Sequence, residues 1–486
     1  MDSAPRSRSF APMSTLATLL KSRPQHQSLL DAAGKLGAEL DLETFVVGGY
    51  VRDLLMGRDT QDIDLMVTGN GIAFAKELAH RLGVERVVAY EQFGTALIPL
   101  QETQVEVASA RTETYDPHSR KPAVEPGTVQ TDMSRRDFTV NALAVSLRGE
   151  SYGELVDPHG GIQDIECRLL RTPLDPDTTF SDDPLRMLRA ARFAAQLRFE
   201  VIPECLESIA RQKERISIVA WERITDEIMK LLAADHPSIG FLILKKTGLL
   251  QLVFPELDEL SGVDIVDGRG HKDVFLHTLQ VVDNAATLSA KPALRFAALV
   301  HDIAKPRTKR YEQKRGWTFH HHEEAGRKMV AAVARRMRLS NELRDYLMKL
   351  TRLHLRPIAL AKEGITDSAV RRLMREAGDD VDDLMMLCRA DITTKRDDKV
   401  ARYMGNFERV EVLMADVTVR DQMRAFQSPV RGDEIMRLCG LQPGPQVGRL
   451  KGAIEDAILE GEIEDTYEAA LAHLLEIKDK ILAAEK

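Results

Sequence analysis

The period of the apolar positions changes near residue 170. Between Leu29 and Leu170, short β-branched runs ("TFVV", "IDLMV", "RVVAY", "TALIPL", "QVEVASA") alternate with stretches of helical spacing, which predicts a small mixed sheet flanked by helices. Beyond Thr172 the strand signals fade. Patterns such as "DPLRMLRAARFAAQL" and "WERITDEIMKLLAA" place apolar residues at i, i+3 and i+4, and from Ser181 to the C-terminus the chain reads as helices parted by turns. Breaks fall at "ADHPSIG", "SGVDIVDGRGHKD", "AKEGITDSA" and "LQPGPQVG". The expected organisation is a flexible N-terminal tail over 1–28, an α+β head over 29–170, an all-α neck over 171–262, a helical bundle over 263–395 and a helical C-terminal region over 396–486.

Composition narrows the class. The chain has 486 residues, enough for several cores, and its hydrophobic content of 44% with 5% aromatics suits a helical globular protein. A formal charge of −8 excludes a polycation that coats nucleic acid, but not a local basic groove. Cys167, Cys205, Cys388 and Cys439 stand far apart with no CxxC pair, which argues against a disulfide framework or zinc knuckle and for a reducing, cytoplasmic setting. No apolar run approaches the length of a membrane span, so no membrane partner is expected. The N-terminal stretch is Arg/Ser-rich, has no acid between Asp2 and Asp31 and lacks a secretory core; it reads as an unstructured tail.

The chemistry begins at "VVGGYVRDLLMGRDTQDIDLMV", residues 46–67. Side chains alternate across a strand, so Asp62 and Asp64 share a face while Ile63 and Leu65 take the other. Neighbouring carboxylates repel unless a cation neutralises them, and Mg²⁺ suits them because it accepts a few carboxylates together with phosphate oxygens and water. Gly48 and Gly49 sit between a strand and a helix, where bare backbone and a helix N-terminus favour phosphate, and Arg52 adds a charge-assisted contact. Paired aspartates facing a cradled triphosphate form a layout for in-line nucleotidyl transfer.

The ordered motifs "GGYVRD…DIDL", "RRDFTVNALA" (135–144), "VDPHGGIQDI" (156–165), "DDPLRMLRAARFA" (182–194) and "ERITDEIMKLL" (222–232) resemble the signature set of the class II tRNA nucleotidyltransferase and bacterial poly(A) polymerase family. The resemblance is close over about 40–235 and looser beyond. It implies a polymerase-beta-like nucleotidyltransferase head, and Arg136 and Asp137 as contacts to phosphate and sugar. Asp137 and Asn141, at i and i+4, would share a helix face. Asp183 and Arg186 would read the base, accepting CTP and ATP, with Arg189 in the same nucleotide-binding element. Ser181 is the expected N-cap of that helix, with Pro184 in its first turn. The chain departs from the family at Asp182, where Glu is usual. The polar segment 111–134 corresponds to a flexible loop that helps switch from C to A addition. Glu106 is either a third carboxylate of the metal site or an ordinary strand-face glutamate.

Further on, His277, His301, Asp302, His322, His354 and Asp391 fall on successive predicted helices, a pattern that suits a metal site in a helical bundle. These blocks resemble an HD domain, a fold associated with phosphohydrolases; His320 and His321 depart from its commoner pattern, and His322 is aligned as the ligand. The implied metal is a divalent ion of unspecified identity, and the implied chemistry is hydrolysis of 2′,3′-cyclic phosphates or phosphomonoesters. Basic stretches at 305–310, 335–338 and 371–375, with Arg352 and Arg356, either are solvated helix faces or track a tRNA backbone.

The reading is a template-independent enzyme that adds or repairs the 3′-terminal CCA of tRNA, with tRNA acceptor stem and 3′ end, ATP and CTP as partners and Mg²⁺ at Asp62 and Asp64. Poly(A), A-only or CC-only addition are the alternatives within the family. An HD phosphohydrolase with an RNA-binding head is the alternative of another class. No feature of the sequence sets an oligomeric state.

Overall fold

The computed structural model describes residues 14–483 except 61, 92–93, 101–102, 115–122, 267–268, 271–272, 361–365, 395, 426–427, 460–461 and 465. It divides into two compact units, residues 1–354 with 382–393 and residues 355–381 with 394–486.

The first unit opens with helices α1 (Ser14–Lys21) and α2 (Pro24–Glu39). Leu20 and Leu30 are fully buried and His26 Nδ1 lies 3.2 Å from the Tyr50 hydroxyl, so the tail expected over 1–28 is packed structure from residue 14 onward. The apolar spacing of Leu16, Leu20, Leu29 and Leu30 carried that signal behind an Arg/Ser-rich leader.

Strands β1 (Thr44–Val47), β2 (Asp62–Val67), β3 (Val88–Tyr90), β4 (Thr95–Pro99) and β5 (Gln104–Ser109) join two later ones in a seven-stranded sheet. Helix α3 (Gly49–Leu55) follows β1, and α4 (Gly71–Arg81) follows β2. Between β5 and the next sheet strand stand the hairpin β6 (Arg111–Thr114) and β7 (Ala123–Pro126) and then helix α5 (Val129–Ser134). The segment expected as a loop over 111–134 is therefore a hairpin and a helix on its described residues, while 115–122 lie outside them. Strands β8 (Ala144–Ser146) and β9 (Leu155–Val156) complete the order β3-β4-β5-β2-β1-β8-β9. Only β2 with β5 is parallel, so the sheet is mixed, as the sequence predicts.

Both faces of β1 are covered, which is why it reads as a continuous apolar run. On one face Phe45, Val47, Met66 and Ala144 pack with Val129 and Met133 of α5. Met66 is on the face of β2 that also carries Asp62 and Asp64, so α5 and the residues after it roof the carboxylates.

After α6 (Gly161–Cys167) the helical neck follows as α7 (Pro176–Asp182), α8 (Leu185–Leu197), α9 (Pro203–Gln212) and α10 (Trp221–Leu232). The bundle is built on the helices Val274–Leu288, Pro292–Val300, His322–Arg336, Asn341–Leu353 and Val381–Ala390. Arg295 is buried there and donates from Nη1 to the carbonyls of Leu232 at 2.7 Å and Ala234 at 2.8 Å, satisfying acceptors at the C-terminus of α10. This region is not wholly helical. Leu169–Leu170 pairs with Glu200–Val201, Ile265–Val266 with Arg269–Gly270, and Arg310–Glu312 with Gly316–Thr318, runs of two or three residues too short to register as strand periodicity.

In the second unit the helices Gly432–Cys439, Pro445–Leu459 and Tyr467–Ala483 enclose Ile435, Leu450, Ile454, Ala470 and Leu474. All four cysteines are free thiols, in line with the sequence. No helix among the described residues is long and apolar enough to cross a membrane. Leu20→Ala should lower the unfolding free energy by about 2–5 kcal/mol, seen as a lower denaturant midpoint, whereas a flexible tail would leave the midpoint unchanged.

Candidate active site and metal centre

The sheet turns into α3 at Gly48, whose φ of +70° is a conformation that favours glycine. A Cβ on Gly48 would lie 2.7 Å from Arg136 Nη1 and 3.5 Å from Asp64 Oδ2, so the missing side chain admits both charged groups to the turn. Gly49 is less demanding, since its Cβ would meet Arg52 no closer than 3.5 Å.

Asp64 is half-buried and in register with Glu106 of β5, while Asp62 is exposed one pleat away. Burial lifts the Asp64 carboxyl from the ordinary carboxylate range to about 6; Glu106 and Asp62 push it the same way, and Arg136 and Arg52 oppose them. Three adjacent carboxylates on one sheet face are a donor set that fits a hard divalent cation. Glu106 thus stands beside the pair, which the parallel pairing of β2 and β5 brings about.

Asp137 organises the opposite wall. It is buried, and its Oδ2 accepts from Arg189 at 2.7 Å (Nε) and 2.6 Å (Nη2). Its Oδ1 accepts from Asn141 Nδ2 at 3.0 Å and from the Phe138 N–H at 2.9 Å. Asn141 Oδ1 in turn accepts from Arg52 Nη1 at 2.5 Å. Burial alone would raise the Asp137 carboxyl, but Arg189, Asn141 and Arg186 outweigh it and hold it at about 2. The expectation of one helix over 137–141 needs correction: α5 ends at Ser134, Phe138 is extended, and only Thr139–Asn141 forms a 3₁₀ turn. Asp137 and Asn141 still meet, through a tighter turn.

Arg136 is held from behind. The buried Asp132 carboxylate accepts from Arg136 at 3.1 Å and from Arg135 at 2.6 Å. Asp132 carries no signal in the sequence beyond lying one turn before the arginine pair.

Ser181 lies inside α7 rather than capping the next helix, contrary to the sequence expectation. Asp183 is extended between the two helices, and its Oδ1 accepts the Leu185 N–H at 3.1 Å, satisfying the first donor of α8, whose N-cap position is Pro184. Arg186 does not pair with Asp183; its Nη2 donates to the Arg135 carbonyl at 2.6 Å. Asp183 accepts instead from Arg223 of α10 at 3.1 Å. The Asp183 and Arg186 side chains are thus oriented independently, which leaves both able to face a ligand. Behind them Arg192 pairs with the buried Glu227 at 2.6 Å, and its guanidinium stacks 3.9 Å above Phe193.

Most of these groups line one cavity of about 740 Å³, large enough for a nucleoside triphosphate, with Asp132 and Glu227 behind its wall. Gly48, Gly49, Arg52, Asp62, Asp64, Arg136, Asp137, Asn141, Asp183, Arg186 and Arg189 all reach it. So do Glu106, Arg111, Arg135, Arg192, Phe193, Arg223 and Lys230. Basic groups outnumber carboxylates on its wall, which favours a polyanion despite the acidic chain.

A second cluster lies in the bundle. His277 Nε2 is 3.0 Å from Asp391 and 3.6 Å from Asp302; His301 Nε2 is 3.1 Å from Asp302 and 3.5 Å from Asp391. His322 Nε2 and His354 Nε2 are 3.3 Å apart and lie 3.2 Å and 3.7 Å from Asp302 Oδ1. Nδ1 of His301, His322 and His354 each lies 2.7 Å from the carbonyl three residues back, those of Ala298, Phe319 and Thr351. That partner fixes the proton on Nδ1 and turns Nε2 toward the centre. Burial would lower the His301 imidazole, but Asp302 and Asp391 hold it up at about 10, while burial pushes His354 down to about 4. The His301 Nε2 and Asp302 Oδ1 atoms are buried without a hydrogen-bond partner, the condition of groups awaiting a cation. The donor set therefore fits a divalent metal, and Asp302 belongs to both triads, His277–His301–Asp302 and Asp302–His322–His354. His320 and His321 point to solvent.

A mixed sheet carrying carboxylates beside a glycine turn, followed by a basic helical neck and a histidine–aspartate bundle, defines a nucleotidyltransferase joined to an HD-type domain. Family models agree: "Poly A polymerase head domain" matches residues 44–171, "Probable RNA and SrmB- binding site of polymerase A" 198–260 and "HD domain" 274–396. The chain is 31% identical over 433 residues to an A-adding tRNA nucleotidyltransferase of Deinococcus radiodurans, covering 87% of this chain and 93% of that one. It is 34% identical over 368 residues to the multifunctional CCA protein of Nitrosococcus oceani, covering 72% of this chain and 84% of that one. Among solved structures, a tRNA nucleotidyltransferase complexed with a primer tRNA and an incoming ATP analog shares the fold at a TM-score of 0.56 and 24% identity, covering 78% of this chain and 99% of the other. A Thermotoga maritima CCA-adding enzyme complexed with tRNA does so at 0.57 and 22%, covering 97% and 98%. The chain belongs to the tRNA nucleotidyltransferase and poly(A) polymerase family.

The position of the Asp64 carboxyl has a consequence for metal affinity. Because it is raised to about 6, protons compete with a cation in a range where an ordinary aspartate would not. Divalent-cation affinity measured by titration calorimetry should fall as pH drops through about 6, and Asp64→Asn should flatten that dependence over the same range.

Proposed function

We propose that the chain adds or repairs the 3′-terminal CCA of tRNA, taking CTP and ATP as substrates without a nucleic-acid template. The observation that carries this reading is the convergence of eleven residues, from the Gly48–Gly49 turn to Arg189, on one cavity. Relatives named for A addition and for CCA addition support it.

Asp62 and Asp64, with Glu106 beside them, would hold Mg²⁺, which supplies positive charge at the α-phosphate and the attacking 3′ oxygen when bound. Arg136, steadied by Asp132, and Arg52, steadied by Asn141, bind the triphosphate near the Gly48 turn. Asp137 spends both oxygens on protein donors, so its part is to hold Arg189 and Asn141 in place. Asp183, anchored by Arg223, and Arg186, anchored by the Arg135 carbonyl, present an acceptor and a donor fork to the base edge. The HD residues would hold a divalent metal that polarises a phosphoryl oxygen and activates water when bound, for hydrolysis of cyclic or terminal phosphates at RNA ends. Asp302 and Asp391 supply the negative charge of that centre, and the Nδ1-locked histidines supply oriented nitrogens.

A second reading, A-only addition, is favoured by the A-adding relative, which spans 87% of this chain. Transcripts of tRNA ending before CCA, after C and after CC, given labelled CTP, ATP or both with Mg²⁺, separate the two. Growth by C, C and A followed by arrest is expected, and Asp62→Ala/Asp64→Ala should lower the rate by at least about 10³-fold. Extension of CC ends alone by a single A would establish the second reading.

A further inference from the structure

We infer that the short hairpin beside the HD centre is a stacking platform for a single-stranded RNA 3′ end, and that the centre therefore acts on RNA-borne phosphates rather than on small phosphoesters. The inference rests on the phosphohydrolase reading of that centre.

The strands Arg310–Glu312 and Gly316–Thr318 pair so that Tyr311 stands opposite Trp317, with their rings T-shaped at 5.3 Å. Two residues after Trp317, Phe319 is tied to the centre twice. Its carbonyl partners Nδ1 of His322 at 2.7 Å, and its ring lies 5.7 Å from the Lys305 ammonium. Lys305 in turn pairs with Asp302. Lys309 sits 5.4 Å from the Trp317 ring. Rings and ammonium groups thus interleave along a path that ends at a metal-site carboxylate.

All three rings are half-exposed, and residues 305–315 hold six basic side chains (Lys305, Arg307, Lys309, Arg310, Lys314 and Arg315) against one acid of the segment, Glu312, although Lys309 pairs with Asp264 and Arg307 lies 3.5 Å from Glu259. A phosphate group alone needs only the metal centre and its lysine. An aromatic ridge adds affinity only for a ligand that brings a π-face, and a base offers that face fully when its strand is not paired. A phosphopeptide would leave most of the ridge unused. The ligand that uses cations, rings and hydrolytic centre together is an RNA terminus with its last base on Trp317 or Phe319 and its 3′ phosphate toward Asp302. In the hydrolysis of a 2′,3′-cyclic end, a water oxygen bonds to phosphorus, one ribose oxygen leaves phosphorus and takes a proton from that water, and no oxidant or reductant is consumed.

Trp317 is one of two tryptophans, so full-length protein carrying Trp221→Phe reports on it directly. Titration with a trinucleotide ending in a 2′,3′-cyclic phosphate should quench its fluorescence to saturation. In Mn²⁺, Trp317→Ala and, separately, Phe319→Ala should each lower the ratio of kcat/KM on that trinucleotide to kcat/KM on glycerol 2-phosphate about tenfold, with Trp317→Phe restoring part of it. Hydrolysis of the trinucleotide with no quenching and an unchanged ratio in both alanine proteins would overturn the platform and leave the hydrolytic reading standing. Saturable quenching without hydrolysis of either compound would overturn the hydrolytic reading, and with it the claim about its substrates, while showing the RNA contact itself.

Discussion

One buried carboxylate joins the pieces of the nucleotide site. Asp137 receives Arg189 from α8, Asn141 from its own turn and, through Asn141, Arg52 from α3. Three separately folded segments, the glycine turn after β1, the segment after α5 and the first neck helix, are thereby set at fixed distances. An uncompensated charge at this depth is costly, so the arginine and amide partners are obligatory. Those partners are also the groups that face the cavity. The same interaction that permits Asp137 to be buried thus orients the cations proposed to meet a triphosphate.

Charge balance then organises what surrounds it. Asp62, Asp64 and Glu106 crowd one wall; burial raises the Asp64 carboxyl to about 6, its two acidic neighbours add to that, and Arg136 and Arg52 only partly offset it. The opposite wall is built of guanidinium groups backed by Asp132, Glu227 and Phe193. The proposed ligand, a triphosphate with a divalent cation, would complement both walls at once. The HD centre follows the opposite design: two carboxylates surrounded by imidazoles, three of which have the Nδ1 proton fixed by a backbone carbonyl, in a site too buried for a mobile water-exposed ion pair.

Much of this was legible in the sequence where a short-range rule applies. Alternation along β2 puts Asp62 and Asp64 on one face whatever the rest of the chain does, and the sheet and helices follow from periods of two and of three to four. The glycine turn is legible because only glycine tolerates both its φ and the approach of Arg136. What stayed hidden acts over long separations or short runs. Arg223 reaches Asp183 from another helix, and nothing in "ERITDEIMKLL" marks the arginine as different from a solvated one. Ser181 has the residue type of a cap, but α7 runs on through Asp182, and it is Asp183 that accepts the first N–H of α8. The 310–318 hairpin has three-residue strands, below what alternation can reveal, and α1 lies behind a leader whose composition masks two buried leucines.

The most direct test of the account is the single-turnover rate of CMP incorporation into tRNA lacking CCA, measured for Asp137→Asn and normalised to the protein that binds tRNA. Asparagine keeps the size and one acceptor but removes the charge that holds Arg189 and, through Asn141, Arg52. A fall of about 100-fold or more is expected, with CTP affinity reduced as well. A rate and affinity equal to those of the unaltered protein would show that the cavity does not depend on this carboxylate and would contradict it.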